Sequence, residues 1–303
     1  MSASTCSSQA RALHEPLAGS ASPARGYVLI EQPGSWGRKA LTDSDLDPTV
    51  GRRLEERAAA AGVKVLLTRR PGAHPRRASA RRQVALVHTG PQPWMEACDL
   101  DLDALAELDP AVCAAPESPG RGHPDEQPRW LVCTHAKRDR CCATLGRPIA
   151  DTLSALHPEA TWEVSHLGGH RFAGTMLVLP EGLVYGQLDV AGAMEVVTGH
   201  LAGRVDLARL RGHAYRSRLA QLAELAVRRS LEVDAIGAVE VTDESAQGPQ
   251  PGGPPVQLAV TAAGRQVQVA IRAHRDERPR QMSCDGEHES PVLLEVVEVE
   301  VVG

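Results

Sequence analysis

Two short segments of this 303-residue chain hold side chains that bind soft and borderline metals. The first, CTHAKRDRCC, runs from Cys133 to Cys142, and the second, HLGGH, runs from His166 to His170. Thiolates and imidazoles are the donors that zinc and iron–sulfur centres prefer. Cys133, a member of the Cys141–Cys142 pair, His166 and His170 therefore make a candidate ligand set. On a helix the His-x3-His spacing would place both rings on one face. Gly168 and Gly169 argue against a helix, since each disfavours its interior by roughly 1 kcal/mol relative to Ala. A tight loop is expected instead. It can bring both imidazoles to one iron and leave bare backbone N–H groups to hydrogen-bond inorganic sulfide, which tunes a cluster's potential.

The cysteine segment is long enough to wrap half of a two-iron centre. Lys137, Arg138 and Arg140 put positive charge beside it. That charge favours thiolate formation or docks an acidic partner, and it equally suits a solvated loop. The same four donors would serve a structural zinc ion, although zinc-binding pairs normally lie two to four residues apart. A third reading is a redox thiol pair at Cys141 and Cys142, against which stands the usual C-x-x-C spacing. His135 reads as a loop-bracing side chain. Cys6, Cys98 and Cys113 have no partner at metal spacing, so buried or incidental thiols are expected. Trp162 and Phe172 flank the histidines and suit core packing. There is no G-x-x-x-x-G-K-[ST], G-x-S-x-G or H-E-x-x-H, and PGSWG at Pro33–Gly37 is no nucleotide fingerprint.

The elements that must position these residues read as α/β. Tyr27–Gln32 is a candidate strand. Asp47 and Pro48 open a helix that Gly62 closes, with Val50, Leu54, Ala58 and Ala61 on one face. Lys64–Thr68 and Gln83–Thr89 follow as strands, separated by an Arg-rich loop over Arg69–Arg82. Pro110–Pro128 has the composition of a linker. The next unit begins with strand Trp130–Cys133, then a polar loop over Thr134–Ala143 and a helix from Pro148 to Leu156. A strand starts at Thr161–Val164. Thr175–Leu179 and Leu183–Gln187 form a hairpin around Pro180-Glu181-Gly182. Asp189 caps a closing helix. In the last third, Leu219, Leu222, Leu225 and Ala226 mark a helix. Val256–Thr261, Gln266–Ile271 and Val292–Val301 read as strands, and Asp243–Pro255 is low-complexity and mobile in expectation. Three units are expected: an α/β unit over 1–118, the metal-binding unit over 126–212, and a helix with a small antiparallel sheet over 213–303.

Hydrophobic residues make up 42% and charged residues 23%, enough for an ordinary core. The formal net charge of -5 argues against a nucleic-acid binder. No apolar run approaches the ~18 residues of a membrane span, and Met1–Gln9 lacks the apolar stretch of a signal peptide. A cytoplasmic protein is expected. Seven cysteines without a regular framework point to metal or redox chemistry rather than disulfides.

LVCTHAKRDRCC and SHLGGHRFAGTMLVLPEGLVYGQL, with the looser YVLIEQPGSWGRKAL, carry a resemblance to the sucrase/ferredoxin-like family. The whole chain resembles it, most specifically over Cys133–Gln187. The resemblance implies a thioredoxin-like ferredoxin domain with a [2Fe–2S] cluster on two cysteines and two histidines. Family cysteines are separated by eight residues, which selects Cys133 and Cys142 rather than Cys141; the histidines carry over to His166 and His170. Relatives of the ferredoxin type hold Cys-x3-Cys where this chain holds His-x3-His. Cys284, in RQMSC, matches a family pattern weakly and receives no ligand role. The implied function is one-electron transfer between protein donors and acceptors, away from nucleic acid and membrane. Glycoside hydrolysis needs two opposed carboxylates, and no such pair stands out.

Overall fold

The computed structural model describes residues 5–72, 79–242 and 248–302. Among them the mixed α/β reading holds: seven α-helices pack on one large and two small sheets, an α+β arrangement. Helix α1 (Cys6–Ala12) is capped by Thr5, and strand β1 (Gly26–Glu31) enters the large sheet. After the short α2 (Ala40–Asp43), helix α3 (Pro48–Ala60) begins where the sequence places it. The Asp47 carboxylate accepts the N–H groups of Thr49 and Val50, and Pro48 occupies the first turn. Val50, Leu54 and Ala58 bury one face against β1 and β2 (Val63–Arg69). Strand β3 (Arg81–His88) pairs antiparallel with β1, and β4 (Trp94–Asp101) with β3. Of the Arg-rich stretch expected as a loop, residues 73–78 lie outside the described residues, and its two ends belong to β2 and β3.

Helix α4 (Leu102–Glu107) leads into the stretch expected to be a linker. Part of it is packed. Asp109 caps a 3-10 turn over Pro110–Ala114 that buries Cys113 and Ala114. The backbone N–H groups of Gly120, Arg121 and Gly122 all donate to the buried Glu96 carboxylate. Strand β5 (His123–Pro124) then joins the sheet edge.

Strand β6 (Arg129–Cys133), helix α5 (Arg140–Leu156) and strand β7 (Thr161–Val164) form a parallel unit. Strands β8 (Met176–Leu179) and β9 (Leu183–Tyr185) make the expected hairpin, followed by α6 (Val190–Leu201), capped by Asp189, and β10 (Leu210–His213). The order β10-β9-β8-β6-β7-β2-β1-β3-β4-β5 is one continuous sheet. Its halves join where Thr68 and Arg69 of β2 pair antiparallel with Val164 and Glu163 of β7.

Helix α5 corrects the expected loop over Thr134–Ala143. The helix starts at Arg140, because the Asp139 carboxylate caps it by accepting the Cys141 N–H at 2.9 Å. Pro148 lies inside the helix rather than at its first turn.

Helix α7 (Arg218–Ser230) buries Glu224 among His213, Arg216 and Arg228, at 2.8, 2.9 and 2.8 Å. Strands β11 (Val239–Val241), β12 (Val256–Ala262) and β13 (Arg265–Arg275) pack on α7. The two-residue strands β14 (Arg280–Gln281) and β15 (His288–Glu289) pair with each other, and β16 (Val292–Val302) pairs with β13. Residues 243–247 of the low-complexity segment lie outside the described residues, while Pro251 bridges to Ala273. Among the described residues, no helix is long and apolar enough to cross a membrane.

Candidate metal centre

Strands β6 and β7 are parallel neighbours, so the segments leaving their C-terminal ends emerge at the same edge of the sheet. Cys133 ends β6, and His166 follows β7 by two residues. The first turn of α5 returns Cys142 to Cys133. One donor atom from each of Cys133, Cys142 and His166 lies within 4.8 Å of the others. Both cysteines are buried in the sheet core with Trp162, Val164 and Leu167. His170 stands outside this tight trio but next to it, its ring stacked on that of His166 with centroids 5.0 Å apart.

The histidine segment is a loop, as expected. Gly168 and Gly169 have φ of 87° and 69°, a left-handed conformation that a side chain would strain. His170 then opens a 3-10 turn. Its Nε2 donates to the Met282 carbonyl at 3.2 Å, so in the neutral ring Nδ1 keeps a bare lone pair. The Nδ1 atoms of His166 and His170 are both buried without a hydrogen-bond partner. Buried polar atoms are normally satisfied, and an imidazole whose far nitrogen is tied to a carbonyl is the usual form of a metal ligand. Two free buried thiols beside two bare imidazole nitrogens suit a soft or borderline metal.

Electrostatics favour the donor form at Cys133 and at His170, but not at Cys142. Cys133 is held well below the ordinary thiol value, first by the hydrogen bond from Cys142, against the burial that raises it, and then by His166. The same contact, with burial, pushes Cys142 up. Burial, and then His166, lowers His170 to about 4, so at neutral pH its 3.8 Å approach to Asp139 is not an ion pair.

Neighbouring groups brace the loops. Thr134 donates to Glu163 at 2.9 Å, and Arg69 clamps the same carboxylate at 2.6 Å. His135 braces its loop as the sequence suggested: Nε2 contacts the Gly37 carbonyl at 2.6 Å and the ring lies edge-on to Trp36. Phe172 and Trp162 are buried. Sequence reasoning missed Arg211. This fully buried side chain donates to the Gly168 carbonyl at 3.0 Å and to the Ser20 carbonyl at 2.5 Å, pinning the histidine loop to the N-terminal segment. Burial, and then Arg171, brings it down to about 9, while the neighbouring Cys133 and Cys142 favour its charge. A lone Arg in β10 carries no spacing signal that could have revealed this.

The adjacent cysteines diverge. Cys142 faces Cys133, whereas the Cys141 sulfur lies 3.7 Å from Cys6 and 3.2 Å from Cys284. They do not face each other as a redox pair.

The family model described as sucrase/ferredoxin-like matches residues 17–212. Comparison with curated proteins and with solved structures finds no match. The matched stretch is more than half of the chain and includes both the cysteine and the histidine segment, so the chain belongs to the sucrase/ferredoxin-like family.

Proposed function

We propose that Cys133, Cys142, His166 and His170 hold a [2Fe–2S] cluster, and that the protein is a one-electron carrier of the cytoplasm. The observation that carries this reading is the convergence of two buried thiols on two imidazoles whose Nδ1 atoms have no other partner. The strand order β9-β8-β6-β7, with β6 and β7 parallel and β8 antiparallel to β6, supports a thioredoxin-like frame. When bound, the cluster supplies a one-electron couple whose potential histidine ligation raises. The chain's own residues hold and orient it. Cys133 and Cys142 would supply the thiolate ligands, and His166 and His170 the imidazole ligands. Met282 fixes the His170 tautomer, and Arg211 holds the glycine loop with a buried positive charge near both thiolates. Lys137, Arg138 and Arg140 are exposed next to the centre and suit an acidic protein partner. All seven cysteines are free, which suits a reducing compartment.

Anaerobic purification with iron, sulfide and zinc analysis tests the reading. Coloured protein with two irons and two sulfides per chain is expected. Zinc at this site with no sulfide would replace the carrier with a structural zinc protein, for which the compact Cys133, Cys142 and His166 trio is already suited.

A further inference from the structure

A second group of metal-binding side chains lies beside the first and uses none of its ligands. Cys6, Cys141 and Cys284 bring their sulfurs together at 3.7, 3.6 and 3.2 Å, and the Asp139 carboxylate lies 3.8 Å from Cys6. Donor atoms of all four lie within 4.8 Å of one another. We propose that these four residues form a zinc site.

Bonds of about 2.3 Å in a tetrahedral thiolate site put neighbouring sulfurs about 3.8 Å apart. Two of the three edges are already close to that, and the third opens by about half an ångström. A disulfide would need about 2.05 Å and would leave the third sulfur over. The site is also built. Asp139 accepts the N–H groups of Cys141 and Cys284, both at 2.9 Å, and so ties two of the sulfur-bearing segments to one carboxylate. Carboxylate oxygens retain further lone pairs for a cation. Ser7 donates to the Cys141 sulfur at 3.2 Å, the hydrogen bond expected around a metal-bound thiolate. Gln9 and Gln281 exchange hydrogen bonds at 3.2 and 3.0 Å, and Glu15 binds Arg280 and Arg171, each at 2.7 Å. These contacts hold the segments that bear Cys6 and Cys284 in place around the sulfurs. Binding would release the thiol protons, leaving three thiolates and a carboxylate on one divalent ion.

Zinc titration of the full-length protein, isolated with its iron centre, tests this; equilibrium binding and elemental analysis are read together with circular dichroism. One zinc per chain is expected beyond any at Cys133 and Cys142. Cys6→Ser and Cys284→Ser should each weaken it by more than the roughly 10–100-fold that loss of a supporting partner costs, with iron, sulfide and fold unchanged. Cobalt offered instead should show thiolate charge-transfer bands that vanish in Cys284→Ala. Zinc binding unchanged in the Cys6→Ser/Cys284→Ser double variant would overturn the proposal. So would a wild-type chain that takes up no zinc, whether its three thiols alkylate freely or form a disulfide. Zinc lost from these variants in protein that contains no sulfide would uphold this site while overturning the cluster.

Discussion

The two cysteine centres share a helix terminus and little else. Cys133, Cys142, His166 and His170 come from two segments that leave neighbouring parallel strands, so a single βαβ unit delivers them. Cys6, Cys141 and Cys284 come from the first helix, the start of α5 and the segment after β14. The first centre is set in the apolar sheet core with a buried arginine beside it; the second lies among backbone N–H groups and a carboxylate. Adjacent residues therefore serve opposite centres. At the start of a helix successive side chains point about 100° apart, and here that turns Cys141 toward Cys6 and Cys284 and Cys142 toward Cys133. One supersecondary unit carries all four donors of the first centre, although Arg211 and Met282 brace its histidine loop from outside that unit, whereas the second centre draws its sulfurs from three segments far apart in the chain.

The largest effect expected separates the adjacent cysteines. Cys142→Ser should remove nearly all iron and sulfide, while Cys141→Ser keeps most of both; elemental analysis of the two variants decides, and the reverse pattern would interchange the two centres. Next in size is the potential. In the proposed cluster two neutral imidazoles replace two thiolates, and histidine ligation raises [2Fe–2S] potentials from about −400 mV to about −150 mV or higher. A His166→Cys/His170→Cys double variant should fall by roughly 250 mV, if it assembles. The wild-type potential should also fall as pH rises, because the ferric state makes the remaining imidazole proton more acidic. Reduction then brings proton uptake above the oxidised-state pKa. Voltammetry across pH checks both, and a flat alkaline profile equal to the variant's would show that the imidazoles are not ligands.

A smaller effect is expected at Arg211. Arg211→Met removes a buried positive charge near the thiolates and the anchor of the Gly168 loop. For charges on the order of 10 Å apart at an effective dielectric near 20, the loss lowers the potential by roughly tens of millivolts. An unchanged potential in protein that keeps its iron would show that Arg211 only braces the loop. The smallest effect concerns the metal-free protein. His170 falls from its ordinary value to about 4 on folding, so protons bind the unfolded chain better. Its contribution to stability is complete above about pH 6.5 and is lost as pH falls toward 4. Denaturant melts across that range should show the slope in wild type and less of it in His170→Gln.

Much of the first centre was legible because its chemistry is local. Strand β6 and the glycine loop could be read from apolar runs and from two adjacent glycines. The cap at Asp189 and the hairpin at Gly182 were equally plain. The helix start at Arg140 was not, because Pro148 is a strong signal for a first turn and Asp139 sits inside a basic run. Strand β4 was missed because its WMEACDLD pattern is polar enough to suit a loop. Sequence spacing also left Cys6 and Cys284 without partners, since two residues 278 positions apart carry no pairwise pattern.

The sequence by itself determined the donor types, the short spacings and the loop that places two imidazoles together, because these follow from backbone preference within a few residues. Only the tertiary structure decided that β2 joins β7 to make one sheet, that Arg211 lies under the histidine loop, and that Cys6 and Cys284 meet at Cys141. Each of those depends on burial and ion pairing between distant segments. Glu15 shows why: its one carboxylate binds Arg171, beside the histidine loop, and Arg280, four residues before Cys284, and so ties the segment after α1 to both.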